Sequence, residues 1–298
     1  MQGRVRLGLA LILLLPMGCG DPGAPAGPST PITALGQAFV AENVGTIQGQ
    51  VKWQAEFPVV PPFQVHAFHD YSNTKRLHGM YPNPHAPPID PDTRGVGQVV
   101  LMLRQVESKV SKPWHHPPVK VQIEPERLRI VQGDSRGAIG FVQRGAEINC
   151  LSRDSQYHTL RARGAAYFTL PFVDADPDRP TRRHLDQNGV VELVDGPGFY
   201  WRRAYLFVLE HPYAALSDRI GRFVLEDVPA GTYQLVAWMP NWHTLRAEHD
   251  PETAIINRMI FAPAVEIEQT VTVRPNESCH AAILMSTMLF GAKRVVER

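Results

Sequence analysis

The sequence predicts an all-β chain, and three observations carry that prediction. Apolar and polar residues alternate in short runs along most of the chain, the period of half-buried strands. The runs are divided by turn residues, and 27 prolines and 23 glycines suit a turn-rich β protein better than a helical one. No long stretch carries the 3.6-residue period of an amphipathic helix. A chain of 298 residues is long enough for two modest domains with cores that need no covalent staples.

The stretch 199–235 shows the pattern most clearly. Residues 204–209, AYLFVL, form an aromatic-rich strand, and His211-Pro212-Tyr213 breaks it. Residues 218–221 read as a hairpin turn, and Pro229-Ala230-Gly231 as a second turn before a strand over 232–238.

From the start of the chain, Arg4 and Arg6 precede a short apolar run, 7–15, too short to span a bilayer comfortably. Met17-Gly18-Cys19 follows and resembles a bacterial lipobox, with Pro16 where that motif usually has Leu. The expectation is a lipoprotein signal over 1–19, lipidated at Cys19. An ordinary secretory signal is the alternative, and either reading sends the chain out of the cytoplasm to a periplasmic or envelope location. Residues 20–44, rich in Pro and Gly, read as a flexible linker.

Strands are then expected over 45–53, 63–69 and 96–104, the last apolar enough to be buried on both faces. Residues 78–95 and 111–118 read as loops. Further strands are expected over 119–124, 127–131, 138–143, 145–151, 158–162 and 165–171. Residues 174–183 read as exposed loop, 189–194 as a strand and 195–198 as a turn. Past Trp238, residues 239–253 are polar, with a short helix expected near 252–258. Strands over 264–273 and 279–284 follow, and 286–298 reads as a tail.

The chemistry is sparse. There is no P-loop, dinucleotide fingerprint, nucleophile elbow or paired-histidine zinc motif, so no enzyme is expected. A net charge of +1 argues against a nucleic-acid partner. Apart from Cys19, the thiols are Cys150 and Cys279, which could pair outside the cytoplasm or stay separate as small buried hydrophobes. Twelve histidines invite a metal reading, but His115-His116 and the pair His66 and His69 lack ligand spacing.

Residues 145–154, GAEINCLSRD, followed by Tyr157-His158-Thr159-Leu160, resemble the cupredoxin segment in which a strand ends in an Asn-x-Asp turn before the first copper histidine. Further on stand Ala204-Tyr205, His211-Pro212-Tyr213, Asp218, Gly221-Arg222-Phe223, Pro229 and Gly231-Thr232-Tyr233. Together these resemble a bacterial family, often labelled methylamine-utilisation-like, that joins a cupredoxin-like domain to a carboxypeptidase regulatory-like domain. The resemblance implies a division into two β-sandwich domains, with N-terminal strands over 45–95 that complete the C-terminal sandwich, a cupredoxin-like domain over 96–213, and a carboxypeptidase regulatory-like, transthyretin-like sandwich over 214–285. The last is also described as a carbohydrate-binding-like fold.

The same resemblance places the copper cysteine on Gly196, the second histidine on Phe199 and the axial methionine on Arg202, none of which can supply a blue-copper ligand. It therefore implies a degenerate site, with no cofactor expected. The alternative is a copper-binding or electron-transfer protein that rebuilds a site around His158, with Cys150 and either His243 or His280. Trp238, Trp242 and His243 are candidates for a binding surface. The loops 111–118 and 241–251 are candidates for contact with an envelope protein or glycan, and contact with a membrane is expected only through the lipid anchor.

Overall fold

The computed structural model describes residues 39–69, 76–176, 178–196, 198–252 and 255–291. Cys19, the expected signal and most of the expected linker lie outside these residues.

The described chain is almost wholly β. β1 (Val44–Trp53) is followed by β2 (Phe63–His69), β3 (Arg76–Tyr81) and β4 (Val100–Arg104). Next come β5 (Val119–Ile123), β6 (Leu128–Gln132), β7 (Ser135–Gly137), β8 (Ile139–Gln143) and β9 (Glu147–Ser152). β10 (His158–Gly164), β11 (Phe168–Phe172), β12 (Thr181–His184) and β13 (Gly189–Val194) lead to β14 (Arg203–Leu209) and β15 (Ala214–Leu216). β16 (Arg222–Pro229), β17 (Gly231–Met239), β18 (Thr244–His249), β19 (Ile256–Phe261), β20 (Val265–Val273) and β21 (Ser278–Met285) complete the order.

Four sheets carry the structure, in the strand orders β16-β1-β21, β15-β4-β17-β20, β11-β10-β13-β14-β8 and β12-β9-β5-β6-β7. β2 with β3, and β18 with β19, form separate two-stranded ribbons. The sheets pack face to face in a sandwich-like way, and the period-2 alternation of each strand says which face meets what. In β4, Leu101 and Leu103 enter the core shared by the first two sheets, while Val100 and Met102 face the opposite way. In β17, Leu235, Ala237 and Met239 join that same core, and Val236 and Trp238 turn outward.

β14 is its counterpart in the third sheet. Ala204, Leu206 and Val208 fill the core between sheets three and four, and Tyr205 and Phe207 face away from it. The outward sets meet: Val100, Met102, Val236 and Trp238 pack with Ile139, Phe141, Tyr205 and Phe207 in one apolar layer. Both central sheets are thus buried on both faces. Each fully buried Leu, Val or Phe contributes about 1.5–3 kcal/mol, so β4, β14 and β17 are anchored from both sides.

Chain order and sheet order differ. β1 lies between β16, antiparallel to it, and β21, parallel to it. β4 falls inside the segment 96–213 that the resemblance made one unit, yet it is hydrogen-bonded between β15 and β17, in the sheet that holds β17 and β20. The turn at Asp218 forms as its sequence predicts. The Asp218 carboxylate accepts from the backbone N–H of Ile220 (3.0 Å) and Arg222 (2.8 Å), and Gly221 takes φ +81°, a left-handed geometry that a Cβ would strain.

Three expectations are corrected. The helix expected near 252–258 is absent among the described residues there, and β19 begins at Ile256. Strands β3, β12 and β18 lie in stretches read as loop. β12 is an edge strand whose exposed Arg182, Arg183 and His184 discourage further pairing, and the exposed Pro171 does the same for edge strand β11. Finally, the expected tail is structural at its start: Phe290 is fully buried, its ring 4.0 Å from Trp242 and 5.8 Å from Trp53.

Candidate functional site

The residues that the resemblance aligns with a copper centre meet at one end of the third sheet. His158 opens β10 after a turn held by its own polar side chains. The Ser152 hydroxyl donates to the Asp154 carbonyl (2.9 Å), and the Asp154 N–H donates back to the Ser152 hydroxyl oxygen (3.2 Å). That turn aims the Asp154 carboxylate at His158, with Oδ2 3.1 Å from Nε2.

The other side of the imidazole meets the end of β13. His158 Nδ1 lies 2.9 Å from Oδ2 of Asp195, whose side chain is fully buried. The other Asp195 oxygen accepts the N–H of Gly196 (2.8 Å). The loop from 196 to 202 folds back tightly: Phe199 N–H donates to the Gly196 carbonyl (3.1 Å) and Arg202 N–H to the Phe199 carbonyl (2.9 Å). This return delivers Arg202 onto Asp195. Arg202 Nη1 donates to Asp195 Oδ2 at 2.9 Å, and Nη2 donates to the Pro125 carbonyl.

Phe199 covers the group. Its ring centroid lies 4.0 Å from the Arg202 guanidinium carbon and 5.2 Å from the His158 ring. The result is a closed, buried knot of two carboxylates, one guanidinium and one imidazole. An imidazole that donates from both nitrogens would answer both carboxylates. The Asp154 contact lies off the hydrogen-bonding direction, however, so Nε2 is left without a well-aligned partner, as is Arg202 Nε.

The knot does not fit a blue-copper ion. That ion takes a thiolate, two imidazoles and a weak thioether. A side chain at Gly196 would begin with a Cβ 2.0 Å from Thr159 Oγ1, so the backbone there is packed as glycine. At position 202 a cation already occupies Asp195. Among the described residues, no group of three or more His, Cys, Asp or Glu side chains is placed to hold a metal.

The remodelled-site candidates occupy separate environments. Cys150 is buried in the core of the third and fourth sheets, where burial pushes its thiol up to about 12, against a weaker opposing pull from Arg183. Cys279 packs against the core of the first two sheets, and both thiols are free. His280 is exposed and lies 3.3 Å from the Gln48 amide across the outer face of the first sheet. His243 is half-buried beside Trp242.

The candidate binding surface is also corrected, because its tryptophans are core. Trp238 is buried between sheets two and three, and Trp242 is buried against Phe290 and Trp53. The loop 111–118 is pinned rather than free. Lys112 N–H donates to the Tyr213 hydroxyl (2.9 Å), and His116 Nε2 meets the Pro212 carbonyl (2.9 Å). Burial pushes His116 down to about 4.

Sequence reasoning placed His158, Gly196, Phe199 and Arg202 together but missed Asp154 and Asp195. Both carry an ordinary turn signal, in Ser-Arg-Asp-Ser and at the start of a Gly/Pro turn, which hid their second use. No protein-family model, curated protein or solved structure matches this chain.

Proposed function

We propose that the chain is a non-catalytic, lipid-anchored protein of the cell envelope. In this reading a cupredoxin-like sandwich has exchanged its metal for an internal ion pair, and the protein acts by binding an envelope protein or glycan, or as a scaffold. The carrying observation is the Arg202–Asp195 pair, 2.9 Å apart and joined to His158, standing where the resemblance puts copper. Removing one partner of such a pair leaves an uncompensated buried charge. A metal would therefore have to displace the guanidinium at a cost of several kcal/mol before gaining any ligand. The described residues hold no helix long and apolar enough to cross a membrane, so attachment in this reading rests on Cys19.

Two measurements test the reading. The first is titration of the purified protein with Cu(I) and Cu(II). The expected result is no stoichiometric complex. A one-to-one complex lost in His158→Ala would replace this reading with a copper-binding one. The second is fatty-acid labelling of cells expressing the full chain. Label is expected on the protein and not on Cys19→Ser, and equal labelling of both would end the lipid-anchor reading.

A further inference from the structure

A cavity of about 180 Å³ opens at the edge of the apolar layer between the second and third sheets, under the β18–β19 ribbon. Its wall includes His85, Glu192, Tyr205, Trp238, Arg258 and Phe261. It lies apart from the His158 knot and shares no residue with it.

The inner wall is polar but uncharged. His85 Nδ1 lies 2.8 Å from the Asn241 carbonyl oxygen, which can only accept, so Nδ1 carries the hydrogen. Nε2 is then the acceptor, and the Tyr205 hydroxyl donates to it at 2.7 Å. Burial, reinforced by Arg203, pushes His85 down to about 3, and burial also raises the Tyr205 hydroxyl well above its ordinary value. The pair therefore stays neutral, which suits recognition better than proton transfer.

The outer wall carries an unequal set of charges. Arg203 donates to Glu192 and to the Met259 and Tyr200 carbonyls, so this cation and this carboxylate answer each other. Arg258 has no comparable partner among the described residues. Its closest ion-pair contact is Glu248, at 4.0 Å, which also pairs with Arg246 at 3.4 Å. Arg258 is 30% exposed at its side chain, and its affinity for its proton is lowered first by burial and next by Arg163. Of the charges that act on Arg258, Arg163 and Arg203 oppose it and Glu192 and Glu248 support it, and both carboxylates have a closer arginine partner of their own. The hollow thus joins an aromatic inner face to one under-neutralised guanidinium, a group suited to a forked grip on a carboxylate.

We propose that this cavity binds a small organic monocarboxylate, with its carboxylate on Arg258 and its apolar body against the aromatic wall. Size sets one limit, since the hollow holds only about six waters' worth of liquid volume. Charge sets another. Glu192 is taken by Arg203, and among the described residues Arg258 is the one guanidinium on the wall without a close carboxylate, so a monoanion is favoured over a dianion. The inference does not depend on the lipid anchor or on the metal-free reading of the knot.

Benzoate is the probe, with benzamide as its neutral counterpart and terephthalate as the dianion, each titrated by calorimetry into the detergent-solubilised full chain. Saturable one-to-one binding of benzoate is expected, about tenfold or more tighter than benzamide and than terephthalate. Arg258→Gln is expected to erase the preference for benzoate over benzamide. Ala264→Leu, which narrows the hollow and leaves every charge in place, is expected to abolish binding of all three while the thermal transition persists. Absence of saturable benzoate binding overturns the proposal. So does equal affinity for benzoate and benzamide, or an unchanged preference in folded Arg258→Gln. If Arg258→Gln fails to fold, Ala264→Leu decides, and benzoate affinity retained in that variant overturns the proposal.

Discussion

His158 and Arg202 share one acceptor atom. Asp195 Oδ2 lies 2.9 Å from His158 Nδ1 and 2.9 Å from Arg202 Nη1, and all three side chains are buried. The stability of this end of the third sheet therefore rests on one carboxylate that is poorly tolerated alone. Arg202→Met is expected to cost about 3–5 kcal/mol in urea unfolding, because it takes the guanidinium partner from the fully buried Asp195 and leaves only His158 and the Gly196 N–H to answer it. Adding Asp195→Asn to that variant is expected to recover part of the loss, giving a coupling of about 0.5–3 kcal/mol. Strict additivity of the two single losses would show that the pair is not a unit.

Gly196→Ala places a methyl group 2.0 Å from Thr159 Oγ1. The expected cost is about 1–3 kcal/mol, the range for overpacking. Thr159→Ala in the same chain removes the obstructing hydroxyl and should restore most of that loss. Thermal melts of the single and double variants check it.

The buried histidines predict a slope of stability with pH. His85 titrates near 3 in the folded chain against an ordinary 6.5. Between those values the unfolded chain holds a proton that the folded chain refuses, so stability falls as pH falls from 6.5 toward 3. Each such histidine contributes about 1.4 kcal/mol per pH unit in that window, and His116, pushed down to about 4, adds a second. His85→Gln should flatten the slope measured by urea unfolding between pH 6.5 and 5 by about one histidine's share. An unchanged slope would mean that His85 does not resist protonation.

Phe290 and Met288 sit two residues apart at the C-terminal end of the described chain with opposite exposures, 0% and 90%. Phe290→Ala is expected to cost about 3–5 kcal/mol by emptying the space against Trp242 and Trp53. Met288→Ala should stay within about 0.5 kcal/mol of the parent. Similar losses from both would contradict the docked segment.

These contrasts show what the sequence carried. Where burial decides a strand, as in β1, β4, β14 and β17, alternation announces it, and the doubly apolar run of β4 already signals a sheet covered on both faces. Where backbone pairing alone decides, as for Thr181–His184 and Thr244–His249, the residues are polar and read as loop. The knot was half legible: the family resemblance, not any spacing of ligand residues, pointed to His158, Gly196, Phe199 and Arg202. Asp154 and Asp195 speak locally only as turn formers, and their pairing exists only once β10 and β13 lie side by side. Trp238 and Trp242 illustrate the reverse difficulty, since an indole in a polar stretch reads alike whether it faces solvent or fills a core.

The position of β1 has a consequence for biosynthesis. A ribosome delivers this strand well before either of its neighbours, β16 and β21. Until Ser278–Met285 emerges, β1 keeps at least one backbone ladder unsatisfied, so the nascent polypeptide carries an open template for illegitimate pairing in the interval. Sheets three and four, whose strands are delivered between those two events, can mature meanwhile, making closure of the first sheet the final step and exposing late truncations to aggregation.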